Sequence, residues 1–147
     1  MKKFSFRLDR LLNYRKYLEK QAQKNLFNAK NEASKRENAL ERLVQGRIET
    51  ERQCCEEKAK GMGVPWYRIY QSFLEKSDHD VEMARNSLQK GAARVKAKVA
   101  ILEKKSVRKK TLEVLKEMQY QKYLLQLGKE EQKAMDELAV MGRKRKP

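Results

Sequence analysis

The sequence predicts an all-α chain in which two long helices form an antiparallel coiled-coil hairpin. Three observations lead there. Of the 147 residues only 39% are hydrophobic and 38% are charged, too little apolar surface for a sizeable globular core. The apolar residues nevertheless recur at three- and four-residue intervals over long distances, as amphipathic helices require and disordered chains do not. Glycine and proline gather in one stretch, "KAKGMGVPWY", apart from Gly46, Gly91, Gly128, Gly142 and the terminal Pro147, so the chain turns back once. A single elongated coiled-coil domain over 1–147 is expected, with helix 1 over about 5–60, a turn at 61–65, helix 2 over about 66–141 and a basic tail at 142–147.

In helix 1, Leu26, Ala29, Ala33, Arg36, Leu40 and Leu43 alternate steps of three and four, the seam of a coiled coil. Before them Leu11, Tyr14, Leu18, Ala22 and Leu26 step by three and then repeatedly by four, a stutter that relaxes the supercoil. The alanines let a partner helix approach closely. Arg36 must snorkel to the edge or find a carboxylate. Near Lys60 the helix should stop, because Lys58 and Lys60 complement its carbonyl end and Gly61 suits the left-handed residue beyond it.

Pro65 fits the first turn of helix 2, where its missing N–H costs nothing. A strict heptad follows through Tyr67, Tyr70, Leu74, Ser77, Val81, Ala84, Leu88, Gly91, Val95, Lys98 and Leu102, then loosens through Leu112, Leu115, Tyr123, Leu124, Leu127, Met135 and Leu138. "SDHD" at 77–80 and Gly91 are poor helix formers and candidate bends. At about 1.5 Å of rise per residue, with reversal near Met62, residue 5 falls opposite roughly residue 119 and roughly the last two dozen residues overhang.

Nothing in this pattern builds an enzyme. "GMG" at 61–63 is followed by Val64 and Pro65, not by the lysine of a nucleotide-binding loop. The single histidine, His79, lies between two aspartates with no nucleophile beside it. Cys54 and Cys55 are adjacent in a helix and point about 100° apart, so they neither bridge each other nor form a metal pair. No catalytic residues, no metal and no cofactor are expected. The formal charge of +16 calls for an acidic or anionic partner. No apolar run reaches the ~18 residues of a membrane span and no secretory leader is visible, so a soluble, reducing, cytoplasmic setting without direct membrane insertion is expected.

Three stretches carry more apolar or aromatic surface than a two-helix seam needs. They are "FSFRLDRLLNY" at the start, "PWYRIYQSFL" after the turn, and "EEQKAMDELAVMGRKRKP" at the end, a short amphipathic helix with a basic tail.

With these stretches the whole chain resembles the FliJ family of the bacterial flagellar type III export apparatus. Three patterns carry the resemblance: Phe4-x-Phe6-Arg7-Leu8-x-x-Leu11-Leu12-x-x-Arg15, Tyr70-x-x-Phe73-Leu74, and Met135-Asp136-Glu137-Leu138-Ala139. The resemblance implies a non-enzymatic antiparallel coiled coil similar to the central stalk of rotary ATPases. It implies binding to the hexameric flagellar export ATPase, promotion of ring assembly and hydrolysis, contact with the cytoplasmic domain of the export gate membrane protein, and interaction with export chaperones. It also implies a cytoplasmic location, peripherally associated with the inner membrane at the flagellar base. By the same resemblance Phe4, Phe6, Leu8, Leu11, Leu12 and Leu138 face the ATPase, and Tyr70, Phe73 and Leu74 face the gate. Family members often carry tyrosines late in helix 1, and residues 40–60 contain none.

A stalk protein of a virulence secretion system shares the layout and is the near alternative. A basic coiled coil that binds nucleic acid is the distant one, and it is not expected, because glutamates interrupt the positive charge nearly everywhere except "KKSVRKK" and "RKRK".

Overall fold

In the computed structural model, which describes residues 3–144, the chain is a helical hairpin of α1 (Asp9–Ala59) and α2 (Val64–Lys144). α1 starts later than residue 5. Asp9 complements the positive end of the helix, its N–H bonds the Phe6 carbonyl at 3.1 Å, and residues 3–8 form a non-helical lead-in that carries Phe4 and Phe6. At the far end of α1, Gly61 adopts φ 93° and its N–H reaches the Lys58 carbonyl at 3.1 Å. This left-handed cap ends the helix at a residue that pays no Cβ penalty. Pro65 is the second residue of α2, whose first carbonyl acceptor is Gly63, 3.1 Å from the Tyr67 nitrogen. "SDHD" and Gly91 lie within α2, and the helix continues through Gly142 to Lys144; residues 145–147 of the expected tail lie outside the described residues.

Packing divides the chain into two compact units. One comprises Gln21–Leu102 and contains the turn; the other comprises Met1–Lys20 with Glu103–Pro147 and contains both termini.

In the turn-containing unit, the inward side of α1 follows Ala22, Leu26, Ala29, Ala33, Arg36, Leu40, Val44, Arg47, Thr50 and Cys54, all buried or half-buried. Leu43 stands outside this row at 38% exposure, and Val44 takes the place expected for it. The steps from Arg36 to Leu40 and on to Val44 are both four, and those from Val44 to Arg47 and Thr50 are both three, so the face drifts out of phase and returns. The sequence reading places a stutter earlier; burial places it here. α2 supplies Tyr70, Leu74, Ser77, Val81, Ala84, Leu88, Gly91, Val95, Lys98 and Leu102, again buried or half-buried, whereas Tyr67 is exposed. Arg36 solves its burial without a carboxylate. Its Nη1 donates to the Ser87 carbonyl at 3.0 Å, and its chain crosses Gly91, where an added Cβ would sit 3.3 Å from both Arg36 Cδ and Nη1. The glycine in the seam is therefore room for an arginine. Arg94 with Glu32 at 3.2 Å, and Arg47 with Asp78, tie the flanks in the same antiparallel sense.

The terminal unit continues the three–four spacing with more charge. α1 turns Leu12, Arg15 and Glu19 inward, and Leu11 (38% exposed) and Tyr14 (55% exposed) lie outside the row in which their spacing suggested they belong. α2 contributes Lys105, Lys109, Leu112 and Lys116. The heptad that looked loosened persists, carried by lysine stems whose heads reach the edge.

Gly91→Leu should lower stability by about 1–3 kcal/mol, because the new side chain occupies the space of Arg36. Chemical denaturation of Gly91→Leu, Arg36→Ala and the double variant checks this: the double variant should recover part of the loss, and strict additivity would mean that the two residues do not meet.

Candidate functional site

The terminal unit holds the first candidate surface. Leu12 is 1% exposed and Phe6 6%, so both are spent on the chain's own packing. Of the residues expected to face a partner, these two are the ones that the chain itself buries. Lys116 explains part of the arrangement: its Nζ lies 5.9 Å from the centre of the Phe6 ring and 2.7 Å from Asp9 Oδ1, so one cation meets an aromatic face and the carboxylate at the helix start.

Phe4 lies ahead of α1 and packs on α2. Its ring is 5.2 Å from Tyr120 at 68° and 5.7 Å from Tyr123 at 46°, while the two tyrosines stand 6.4 Å apart. Edge-on pairs of this kind add about 0.5–1.5 kcal/mol beyond burial. The expected pairing of residue 5 near residue 119 thus agrees with Phe4 on Tyr120. Phe4, Leu12, Lys16, Glu113, Lys116 and Tyr120 line a shallow groove of about 340 Å³. Leu8 is half-buried, and Leu138, at 69% exposure, lies on the part of α2 beyond Leu127 where every described side chain is exposed.

Beneath this surface Glu19, 9% exposed, forms an ion pair with Lys109, whose Nζ lies 2.7 Å from Oε2, and Glu113 stands 4.0 Å from the same nitrogen. The hydrogen bond to Glu19, assisted by the charge of Glu113, holds the Lys109 ammonium above the usual lysine range. Apolar periodicity could not reveal this pair, since both members are charged. Its visible trace is the seven-residue spacing from Leu12 to Glu19 and from Leu102 to Lys109.

The turn-containing unit holds the second surface. Trp66 (64% exposed), Ile69 and Phe73 (51% exposed) recur at i, i+3 and i+7 along one side of the seam row. Of the three residues singled out from sequence, Phe73 lies on this exposed stripe, and Tyr70 and Leu74 are half-buried in the row itself. Glu57, Gly61, Met62, Gly63, Trp66 and Tyr70 line a groove of about 310 Å³. Lys58 Nζ sits 4.3 Å above the Tyr67 ring, a contact between the last turn of α1 and the first of α2 that sequence spacing does not show. Arg52, between Glu49 and Glu56, is held protonated chiefly by its bond to Glu49. Those pairs are exposed and local to one helix turn, so they add little to stability.

Among the described residues no group of three or more histidine, cysteine, aspartate or glutamate side chains is placed to hold a metal, and no helix is long and apolar enough to cross a membrane. Cys54 is buried and Cys55 exposed, both as thiols. What the two sites offer is apolar and aromatic side chains on helix surfaces, bordered by charge: the chemistry of protein contact.

Because the folded-state pKa of Lys109 is raised, its contribution is complete below the ordinary lysine pKa and is lost as pH rises through the folded value. Thermal melts from neutral pH to about pH 11 should show an alkaline loss of Tm that is smaller in Glu19→Gln, a variant already less stable at pH 7. The paired replacement Glu19→Leu with Lys109→Leu should restore the neutral Tm; identical alkaline losses in all three chains would rule the pair out as the source.

A sequence model of the family described as "Flagellar FliJ protein" matches residues 4–147. No curated protein and no solved structure matches the chain.

Proposed function

The chain belongs to the FliJ family of flagellar export apparatus proteins, and from that premise we propose that it is the non-enzymatic stalk of the export ATPase, coupling a hexameric ring to the export gate. The observation that carries the reading is the apolar surface left uncovered on the terminal unit. Leu11, Tyr14 and Leu138 are exposed, and Phe4 and Leu8 are half-buried. A stalk must offer side chains to its ring, whereas a self-sufficient coiled coil turns them inward. Phe6 and Leu12 act beneath this surface by fixing the lead-in that carries Phe4.

Contact with the cytoplasmic domain of the gate falls to Phe73, with Trp66 and Ile69 beside it; Tyr70 and Leu74 hold the helix face that presents them. Exposed aromatics on a rigid helix suit the anchor role, since they bury a large area at low entropic cost. The excess positive charge steers the protein towards acidic partners. Export chaperones complete the proposed set of partners, and the place of action is the cytoplasmic side of the inner membrane at the flagellar base. With no nucleotide loop of its own, the protein would act by promoting ring assembly and hydrolysis in its partner.

Titrated into the flagellar export ATPase of the same organism, the protein should raise the hydrolysis rate and saturate near one chain per hexamer. An active, ring-forming ATPase that shows no stimulation would refute the stalk reading.

Phe73→Ala should preserve far-UV helicity and weaken binding to the gate's cytoplasmic domain by about 1–3 kcal/mol, measured calorimetrically. Unchanged affinity would move the gate contact elsewhere.

A further inference from the structure

Tyr123 and Leu127 are the last half-buried residues of α2, and every residue from Gly128 to Arg143 is exposed. The face they begin does not end with them. The helical repeat carries it on through Glu131, Ala134, Met135, Leu138 and Met141, with Met135 71% and Met141 63% exposed. Interrupted only by Glu131, this apolar stripe is several turns long and is covered by none of the described residues. A helix of this length without tertiary packing is marginal in water, and Gly128 and Gly142 each cost about 1 kcal/mol more. The segment is built to be completed by a partner.

The charge around the stripe says what kind. In a chain of formal charge +16, the ionic side chains nearest the stripe between Glu130 and Glu137 are acidic, ahead of the basic run that begins at Arg143. Glu131 lies within it, and Glu130 and Glu137, one heptad apart, follow one edge; Lys133 lies further round the helix, and the opposite edge carries Gln132 and Ala139. Carboxylates at the rim disfavour anionic lipid and nucleic acid. They also disfavour a second copy of the same segment, because a symmetric pair centred on Glu131 would set two copies of that carboxylate against each other. The occupant that satisfies both stripe and rim is a helix with an apolar face and cationic edges.

We propose that residues 128–143 form a docking surface for an amphipathic helix of another protein that carries lysine or arginine along its edges. The apolar stripe supplies the contact area and the glutamates set the identity and register of the partner, as edge charges do in paired helices. This goes beyond the stalk reading in specifying the partner's chemistry. Leu138 serves both readings, so the test contains no ATPase, and ring stimulation and helix docking succeed or fail separately.

The probes are two synthetic amphipathic peptides of about 18 residues with the same leucine seam, one with lysines and one with glutamates at the edge positions, titrated by fluorescence anisotropy into the full chain at ~150 mM salt. The overall positive charge repels the first peptide and attracts the second, so preference for the lysine-edged one reports local rather than global electrostatics. The lysine-edged peptide should bind at least about tenfold more tightly. Leu138→Asp, at an exposed site, should abolish binding, and Glu130→Lys with Glu137→Lys should reverse the preference. Equal or opposite preference in the native chain, indifference to either variant, or concentration-dependent dimerisation through this segment in sedimentation velocity would overturn the proposal.

Discussion

Among the described residues α1 and α2 are the only helices, so in each unit the side chains between them must fit along one pair of facing rows. No further helix receives a side chain that does not fit there, so errors of phase are exposed. In the turn-containing unit Arg36 meets this constraint by lying across Gly91 and bonding the Ser87 carbonyl. The pair is asymmetric, long side chain against none, and a slip by one heptad would set the guanidinium against Ala84 or Lys98 instead. In the terminal unit Glu19 and Lys109 do the equivalent with opposite charges. Alanines and leucines alone would tolerate several registers; buried polar groups with a single good partner do not.

The same feature separates what the sequence discloses from what it conceals. From Tyr70 to Leu102, α2 shows its inward row directly, because nearly every seam position there is apolar, small or glycine. The row of α1 from Leu26 to Leu40 is equally plain. Beyond these stretches the inward positions are occupied by Glu19, Lys105, Lys109 and Lys116, while Leu11, Tyr14 and Leu43 sit outside. A periodicity that follows hydrophobicity is drawn to the leucines and passes over the charges. Equal spacing is the surviving clue, and it becomes decisive only when a partner for each charge is in view. The lead-in at residues 3–8 was hidden for another reason: Phe4 has helical spacing relative to Leu8 and Leu11 but obtains its burial outside a helix, against the Tyr120 and Tyr123 rings.

The candidate sites differ in how much of them was legible. Aromatic density alone marks the stretch after the turn, and Phe73 and Trp66 are exposed there as such density suggests. In the first stretch the motif is visible but its division of labour is not. Phe6 and Leu12 are consumed in packing, and only the residues around them remain for a partner. Charge follows the same partition: most of the excess of lysine and arginine belongs to the terminal unit, whereas the other unit is nearer balance. Surface apolarity and positive potential therefore coincide on the unit proposed to meet the ATPase.

The separation of paired residues along the chain has a consequence for how the molecule comes to be. Arg47 and Asp78 are 31 residues apart, Glu32 and Arg94 are 62, and Asp9 and Lys116 are 107. Each doubling adds only about 0.6 kcal/mol of closure entropy to a direct encounter, but a contact made after its inner neighbour forms has only a short remaining gap to close. Loop-closure entropy thus favours an order of pairing that starts beside Gly61 and moves outward. By that reckoning the Phe4 contact with Tyr120 and Tyr123 closes the widest sequence gap after the contacts nearer Gly61 have narrowed it.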